Sequence, residues 1–189
     1  MATLILILCS YLLGSVLFGQ IVGFFSGKVD LRTTESGNVG ARNAGRLLGK
    51  KAFFFTVIGD AGKGAAVVLL AKYFEFSTEF QLLALLAVLI GHLFPITLKF
   101  KGGKGVATFC GAFLSLDPLL FLVFVCIFFV FYALSRSVTI AGMSAIFTTP
   151  FLLMAVRYSF WTSAIMIFIT LLITWAHRDN LKERLKTWS

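Results

Sequence analysis

The sequence predicts an all-α integral membrane protein with seven transmembrane helices, some of them short or broken. Hydrophobic residues make up 59% of the 189 residues and charged residues 13%, whereas a soluble domain carries about twice that charged fraction. The apolar residues fall into long runs, and about 20 in a row cross the hydrocarbon core as a helix. The basic residues cluster in alternate connections between these runs. We interpret residues 1–189 as one transmembrane domain.

The runs predicted to span the membrane are 2–24, 52–74, 80–98, 105–116, 118–134, 138–156 and 159–176. The first is longer than the hydrophobic core of a signal peptide and follows no basic segment, so it is predicted to be a membrane helix. The second carries Asp60 and Lys63, which are three residues apart and can pair on a helix. The fourth is too short to cross the bilayer unless it is tilted or re-entrant.

Two patterns concern packing and anchoring. Small residues repeat every four positions in the first span at Ser15, Gly19 and Gly23, which predicts a face on which another helix can pack closely. In the tail, apolar residues recur with helical spacing among charges at Leu181, Leu185 and Trp188. This spacing predicts a short helix on the membrane surface.

The distribution of basic residues predicts the orientation. The connections at 26–51, 99–104 and 136, with the tail after 176, hold fourteen basic residues, whereas Lys72 and Arg157 are the two on the other side. Because cytoplasmic connections are enriched in Lys and Arg, the first set is predicted to be cytoplasmic. Seven spans then place the N-terminus outside and the C-terminus in the cytoplasm. The same rule accounts for the net charge of +9 without a nucleic-acid partner.

The first connection contains a glycine-rich segment, Ser36-Gly-Asn-Val-Gly-Ala-Arg-Asn-Ala-Gly-Arg46. Glycine lets a backbone turn its N–H groups toward an anion, and arginine adds bidentate contacts. The pattern is typical of a phosphate site and also of a flexible basic loop. The candidate ligand-binding residues are Ser36, Gly37, Asn38, Gly40, Arg42, Asn43 and Arg46.

A second segment, Phe100-Lys-Gly-Gly-Lys-Gly-Val-Ala-Thr108, opens the fourth span. A helix N-terminus is a natural phosphate site because it presents N–H groups and a positive dipole. The candidate residues are Gly102, Gly103, Lys104, Gly105 and Thr108. Upstream, Pro95 is predicted to bend or end the third helix, and His92 is more typical of a hydrogen-bonded structural histidine than of a catalytic one.

Two further segments carry polar groups. Ionisable groups at membrane depth usually pair or line a cavity, so Asp60 is predicted to hold Lys63 or a basic residue of a site. At the end of the last span, His177 and Asn180 bring an imidazole and an amide to the face predicted to be cytoplasmic. Because both glycine-rich segments also face that side, a phosphate-handling site is predicted there.

Several common motifs do not occur in the sequence. The Walker A pattern fails at Lys63 and Lys104, and no GxSxG or HExxH is present. Neither histidine has the HxxxxD spacing of acyl-CoA-dependent acyltransferases. The cysteines, Cys9, Cys110 and Cys126, lie in apolar runs without a CxxC pair. No metal and no cofactor is therefore predicted.

Together these segments resemble the bacterial acyl-phosphate-dependent glycerol-3-phosphate acyltransferases, in order, over about residues 10–185. The stretch Gly-Gly-Lys-Gly-Val-Ala-Thr at 102–108 is highly specific. The resemblance implies a multi-pass enzyme of the bacterial inner membrane with a cytoplasmic site. It implies acyl transfer from acyl phosphate to the sn-1 hydroxyl of glycerol 3-phosphate, giving 1-acylglycerol 3-phosphate and phosphate in the first acylation step of phospholipid synthesis. The sequence departs from the family at Arg42, usually threonine, and at Thr139 and Gly142, where serines are expected.

The resemblance also implies roles for the candidate residues. The Ser36–Gly40 segment and Lys104 are expected to hold the phosphates, while Arg46, His177 and Asn180 orient glycerol 3-phosphate. Asp60, Lys63 and His92 are expected to support the site. The general base is either His177 or an oxygen of the donor phosphate, and the enzyme is expected to be a monomer in the bilayer.

Two other functions fit part of the sequence. A small transporter or channel for a phosphorylated solute often has broken midplane helices and internal repeats. Here the ionisable residues gather at one face, with Asp60 and Lys63 as exceptions. A scaffold subunit does not explain the Gly-Gly-Lys-Gly segment.

Overall fold

The structure is a computed structural model that describes residues 1–27, 29–34 and 36–186. The regular secondary structure of these residues is helical, as predicted. They form two compact units, the first covering Met1–Leu116 and the second beginning at Asp117. Lys28, one of the fourteen basic residues counted for the orientation, lies outside the described residues. So do Trp188 and the side chain of Leu185, two of the three apolar residues of the tail pattern.

The first unit contains six α-helices and a 3₁₀ turn: α1 (Ala2–Gly14), α2 (Phe18–Phe25), α3 (Ala41–Leu48), α4 (Lys50–Tyr73), α5 (Thr78–Leu93), the turn (Ile96–Leu98) and α6 (Val106–Leu116). The second unit contains α7 (Pro118–Ser135), α8 (Val138–Ala155), α9 (Phe160–Ala176) and α10 (Arg178–Lys186).

Among the residues that the structure describes, five stretches are long and apolar enough to cross a bilayer: Ala2–Phe25, Lys50–Tyr73, Thr78–Leu98, Pro118–Ser135 and Val138–Ala155. The shorter apolar helices α6 and α9 coincide with the predicted fourth and seventh spans. Helix α7 is only 11% buried inside the protein, so its apolar surface needs a hydrocarbon environment. The chain is therefore an integral membrane protein, and the count of seven and the orientation stay predictions.

The first predicted span is not one continuous helix. Helix α1 ends at Gly14 and α2 begins at Phe18, with a break between them. The predicted small-residue face also has an unexpected partner. A Cβ on Gly19 would collide with the Val39 carbonyl, and one on Gly23 with the Val29 carbonyl, so these two residues pack on the connecting segment. Ser15, the third residue of the face, lies against Gly91 of α5 and so packs on another helix, as predicted.

Helix α4 packs closely on α6 through glycines. A Cβ on Gly64 would collide with the Thr108 carbonyl, and one on Gly111 would collide with the Ala61 carbonyl. Small residues let helix backbones approach in a membrane protein.

Helix α5 ends at Leu93, two residues before Pro95, as predicted. After the 3₁₀ turn, Lys99 and Phe100 adopt left-handed conformations with φ of 53° and 60°. These two residues reverse the chain toward the Gly-Gly-Lys-Gly segment.

In the second unit, Asp117 begins α7. Its carboxylate accepts from the amides of Leu119 and Leu120, both at 3.0 Å, and from the Tyr158 hydroxyl at 3.1 Å. Partial burial and the neighbouring carboxylate raise the pKa of Tyr158. These bonds tie the start of α7 to the connection between α8 and α9.

The predicted orientation can be tested by cysteine labelling in a background that lacks the native cysteines. We expect a membrane-impermeant maleimide to label Glu75→Cys and Arg157→Cys in intact cells. Lys101→Cys and Arg136→Cys should react only after permeabilisation, because basic connections stay in the cytoplasm. If Arg136→Cys were labelled in intact cells and Arg157→Cys protected, α6 would not cross the membrane and the seven-span topology would be wrong.

Candidate functional site

The segment before α3 is held by a turn around Asp30. The Arg32 guanidinium donates to the Asp30 carboxylate at 2.7 to 3.1 Å, and this hydrogen-bonded pair lowers the pKa of Asp30 to about 2. The third guanidinium nitrogen of Arg32, Nη1, donates to the Leu98 carbonyl at 3.4 Å. The turn therefore connects the glycine-rich segment to the chain that follows α5.

A small core lies beneath the same segment. Leu31 and Val39 are fully buried against Leu17, Ala44 and Ala52. These contacts anchor Leu31 and Val39, on the two sides of Ser36, Gly37 and Asn38, in one buried core.

Asn43, a predicted phosphate ligand, is buried. Its side-chain amide donates to the carbonyls of Leu31 at 3.1 Å and Thr34 at 3.4 Å. These bonds favour a role in shaping the segment over direct contact with a ligand.

The other predicted residues of the segment are accessible. Ser36 and Gly37 are exposed, and Asn38 and Gly40 are partly exposed. Gly37 has φ of 65°, a conformation that glycine adopts without steric cost. Gly40 is the N-cap of α3, whose first amides have no partner within the helix. The segment thus offers a hydroxyl, a carboxamide and backbone amides at one surface.

Sequence reasoning treated the whole stretch to Arg46 as a loop, but residues Ala41–Leu48 are helical. Gly49, with φ of 87°, ends this helix and begins α4. A glycine directly after a short periodic stretch is a typical helix C-terminus, and this was the signal for α3.

Helix α3 places Arg42 and Arg46 on one side, four residues apart. Together with the first turns of α4 they line a cavity of about 610 Å³, whose lining residues are Arg42, Gly45, Arg46, Lys50, Phe53 and Phe54. The cavity combines cationic groups, which suit a phosphate, with two aromatic rings, which suit an apolar chain. Sequence reasoning missed Lys50, Phe53 and Phe54, although their spacing after Gly49 puts them on one helical face.

The Gly-Gly-Lys-Gly segment folds back on the end of α5. The amide of Gly102 donates to the Leu93 carbonyl at 3.1 Å, and that of Gly103 donates to the His92 carbonyl at 3.0 Å. A Cβ on Gly102 would collide with the His92 carbonyl, and one on Gly103 with His92 Nε2. These two glycines therefore allow a close approach, and their amides are already used, which differs from the predicted role as phosphate donors.

The rest of this segment leads into α6. Gly105 has φ of 80°, and Lys104 beside it is partly exposed. Thr108 is fully buried, and its hydroxyl lies 3.4 Å from His92 Nδ1. Of the predicted side chains here, that of Thr108 is buried and that of Lys104 is partly exposed.

The predicted pairing in α4 is confirmed. Lys63 Nζ lies 3.1 Å from Asp60 Oδ1, and both side chains are almost fully buried. His92 is also buried, with Nδ1 3.7 Å from the same carboxylate oxygen. The hydrogen bond between His92 Nδ1 and the Thr108 hydroxyl and the burial of the ring are typical of a structural histidine, and its role stays a prediction.

His177 and Asn180 belong to the second unit. His177 ends α9, and its Nδ1 lies 2.9 Å from the Ile173 carbonyl. With Nδ1 donating to that carbonyl, Nε2 carries the lone pair of the imidazole. Asn180 is partly exposed in α10. The divergent residues Thr139 and Gly142 lie in the first two turns of α8, with open space where Gly142 would carry a Cβ.

A family model described as glycerol-3-phosphate acyltransferase matches residues 4–187. Glycerol-3-phosphate acyltransferase 1 of Bacillus cereus (strain ATCC 10987 / NRS 248) is 42% identical over 173 residues, covering 92% of this chain and 95% of the relative. The protein of that name from Desulfitobacterium hafniense (strain Y51) is 39% identical over 185 residues, covering 98% and 92%.

Solved structures agree with these relatives. The crystal structure of PlsY (YgiH), an integral membrane glycerol 3-phosphate acyltransferase, in its glycerol 3-phosphate form matches with a TM-score of 0.91 and 34% identity. The match covers 99% of this chain and 94% of that one. The lysophosphatidic acid form matches with a TM-score of 0.89 and 32% identity, covering 99% and 93%.

The close approach at the Gly-Gly-Lys-Gly segment predicts a graded response to added methyl groups. We expect Gly102→Ala to lower the free energy of unfolding by about 1–3 kcal/mol, because the new Cβ meets a backbone carbonyl that cannot move aside. The new Cβ of Gly103→Ala meets the His92 side chain, so we expect a smaller loss in the free energy of unfolding. Gly62→Ala is the matched control, since a Cβ there has open space and alanine favours a helix by about 0.5–1 kcal/mol. Thermal unfolding in detergent measures all three, and equal effects at positions 62 and 102 would contradict the packing described.

Proposed function

The chain belongs to the glycerol-3-phosphate acyltransferase family, and from this premise we propose that it transfers an acyl group from acyl phosphate to the sn-1 hydroxyl of glycerol 3-phosphate. The products are 1-acylglycerol 3-phosphate and inorganic phosphate. The reaction is the first acylation step of phospholipid synthesis, carried out at the cytoplasmic face of the bacterial inner membrane.

The cavity beside α3 is the observation that carries the proposal. Its cationic groups, Arg42, Arg46 and Lys50, lie next to the rings of Phe53 and Phe54. An acyl phosphate has this combination of an anionic head and an apolar chain. Acyl-CoA has the chain as well, but its long nucleotide arm calls for additional recognition, and the sequence lacks the HxxxxD spacing used by acyl-CoA enzymes.

In the proposed reaction the sn-1 hydroxyl oxygen attacks the carbonyl carbon of the acyl phosphate. The new ester C–O bond forms, and the bond between the acyl carbon and the phosphate oxygen breaks. The hydroxyl proton passes to an oxygen of the departing phosphate, either directly or through His177 Nε2. Inorganic phosphate leaves with the electron pair of the broken bond.

Both substrates are anionic and repel each other, so the main electrostatic requirement of the site is to offset this repulsion. Preorganised amides and cations stabilise developing negative charge without reorganising during the reaction, and holding both reactants in place removes much of the entropic barrier. We assign the Ser36–Gly40 segment and Lys104 to the phosphates, with Arg46, His177 and Asn180 orienting glycerol 3-phosphate. In this proposal no serine or cysteine forms an acyl-enzyme.

The donor can be tested with purified protein and two acyl donors of equal chain length. We expect esterification of glycerol 3-phosphate with acyl phosphate, and a rate with acyl-CoA lower by about 100-fold or more, because the site is built for a small phosphate leaving group. Mass spectrometry of the product and release of phosphate measure the reaction. Equal or faster turnover with acyl-CoA would contradict the proposed donor.

The phosphate-binding role can be tested at Lys104 and Arg46. We expect Lys104→Ala and Arg46→Ala each to lower kcat/KM by about 100-fold or more, because each removes a charge that stabilises the transition state. Lys101→Ala is the matched control, an exposed lysine in the same connection, and should change kcat/KM by less than about threefold. Normal rates for the first two variants, with correct membrane insertion, would refute the assignment.

A further inference from the structure

The break in the first span exposes three consecutive backbone carbonyls to the interior of the first unit. Each accepts a hydrogen bond from a side chain distant in sequence. Lys63 Nζ donates to the carbonyls of Gly14 at 2.9 Å and Val16 at 2.7 Å. The Thr97 hydroxyl donates to the Ser15 carbonyl at 2.8 Å. The break is therefore a built feature with its polar groups satisfied.

The other side of the break is completed by Asp60. Its carboxylate lies near the backbone amide of Phe18, the first residue of α2. Gly59 provides the room for this contact, because a Cβ there would collide with the Phe18 ring. The ammonium thus lies at the C-terminal end of α1 and the carboxylate at the N-terminal end of α2, which is the arrangement that helix dipoles favour.

Lys63 has three polar neighbours at this point. Its ammonium donates to the carbonyls of Gly14 and Val16 and forms an ion pair with the Asp60 carboxylate at 3.1 Å. Removing the ammonium would leave two carbonyls and a carboxylate buried without their donor, and such groups are costly at membrane depth.

The break in turn sets the direction of α2. Gly19 and Gly23 on α2 lie against the backbone of Val39 and Val29, and the fully buried Leu31 packs in the same core. The direction of α2 therefore determines where the Ser36–Gly40 segment is held. Thr97 connects the break to the 3₁₀ turn that leads to the Gly-Gly-Lys-Gly segment.

We propose that Asp60 and Lys63 are positioning residues for acyl transfer, which hold the break between α1 and α2 so that the glycine-rich segment at 36–40 is placed to bind phosphate. Neither residue contacts substrate in this account. The inference rests on the proposed assignment of the 36–40 segment to the phosphates.

The experiment compares two substitutions at the break with two matched controls on α4. Lys63→Met removes the ammonium and keeps the side-chain length. Its control is Lys72→Met, because Lys72 Nζ also donates to a backbone carbonyl, that of Leu116 at 2.8 Å. Thr97→Val removes one bond from an exposed residue and should fold even if Lys63→Met does not. Its control is Thr56→Val, whose hydroxyl bonds to Ala52 within the same helix.

Two quantities separate positioning from a general loss of folded protein. These are the KM for acyl phosphate and the amide hydrogen exchange of a peptide covering residues 29–40. We expect Lys63→Met to raise both KM and the exchange rate by about tenfold or more, and Thr97→Val to raise both by about threefold. The two controls should stay within about twofold of the natural sequence.

A purely structural role would reduce Vmax through less folded enzyme while KM and exchange stayed unchanged, and that result would overturn the proposal. The double variant Asp60→Lys with Lys63→Asp adds a sharper comparison. It keeps an ion pair but places each charge at the wrong helix end, so we expect KM and the exchange rate to stay raised. Recovery of KM to within about twofold would show that an ion pair in either orientation is sufficient and would overturn the proposal.

Failure of the proposed function would look different. If the protein with the natural sequence did not use acyl phosphate, no KM for acyl phosphate could be measured, and the proposed donor would be wrong. The exchange measurement would still report whether Lys63 and Thr97 hold the 29–40 segment.

Discussion

A broken helix inside a membrane protein needs donors and acceptors for its freed backbone groups, because lipid supplies none. In the first unit the buried pair of Asp60 and Lys63 meets this need on both sides of the break between α1 and α2. A buried ion pair is seldom a source of net stability, since desolvation of two charges offsets their attraction. In this protein the pair serves to orient the two helices at the break. Each charge lies at the helix end that its sign suits, and the pair determines how α2 leaves the break.

The glycines of the site serve two separate purposes. Gly102 and Gly103 let the chain pass close to His92, and their amides are consumed in bonds to the end of α5. Gly37 and Gly40 lie at an accessible surface. The Gly37 amide donates to the Thr34 carbonyl at 2.9 Å within a left-handed turn, and Gly40 is the N-cap of α3, whose first amides have no partner within the helix. A glycine-rich motif that is typical of phosphate binding thus contains glycines needed for packing as well as glycines that can face an anion.

The sequence was most informative where a single local rule decides the structure. Long apolar runs predicted the membrane helices, the spacing of Asp60 and Lys63 predicted their pairing, and Pro95 predicted the end of α5. The break at residues 15–17 was not predicted because that run contains no proline, although the adjacent Gly14 and Ser15 form a Gly/Ser pair of the kind found at helix kinks. It depends on side chains from α4 and the 3₁₀ turn. Lys50, Phe53 and Phe54 were not predicted as site residues, because the short helix α3 that brings Arg42 beside them was interpreted as a loop.

We infer that this glycerol-3-phosphate acyltransferase works by holding phosphates and not by forming an acyl-enzyme. The intact mass of the purified protein, after mixing with acyl phosphate in the absence of glycerol 3-phosphate, tests this mechanism directly. We expect an unmodified protein mass and no burst of phosphate release. A stoichiometric acyl adduct that disappears when glycerol 3-phosphate is added would contradict it.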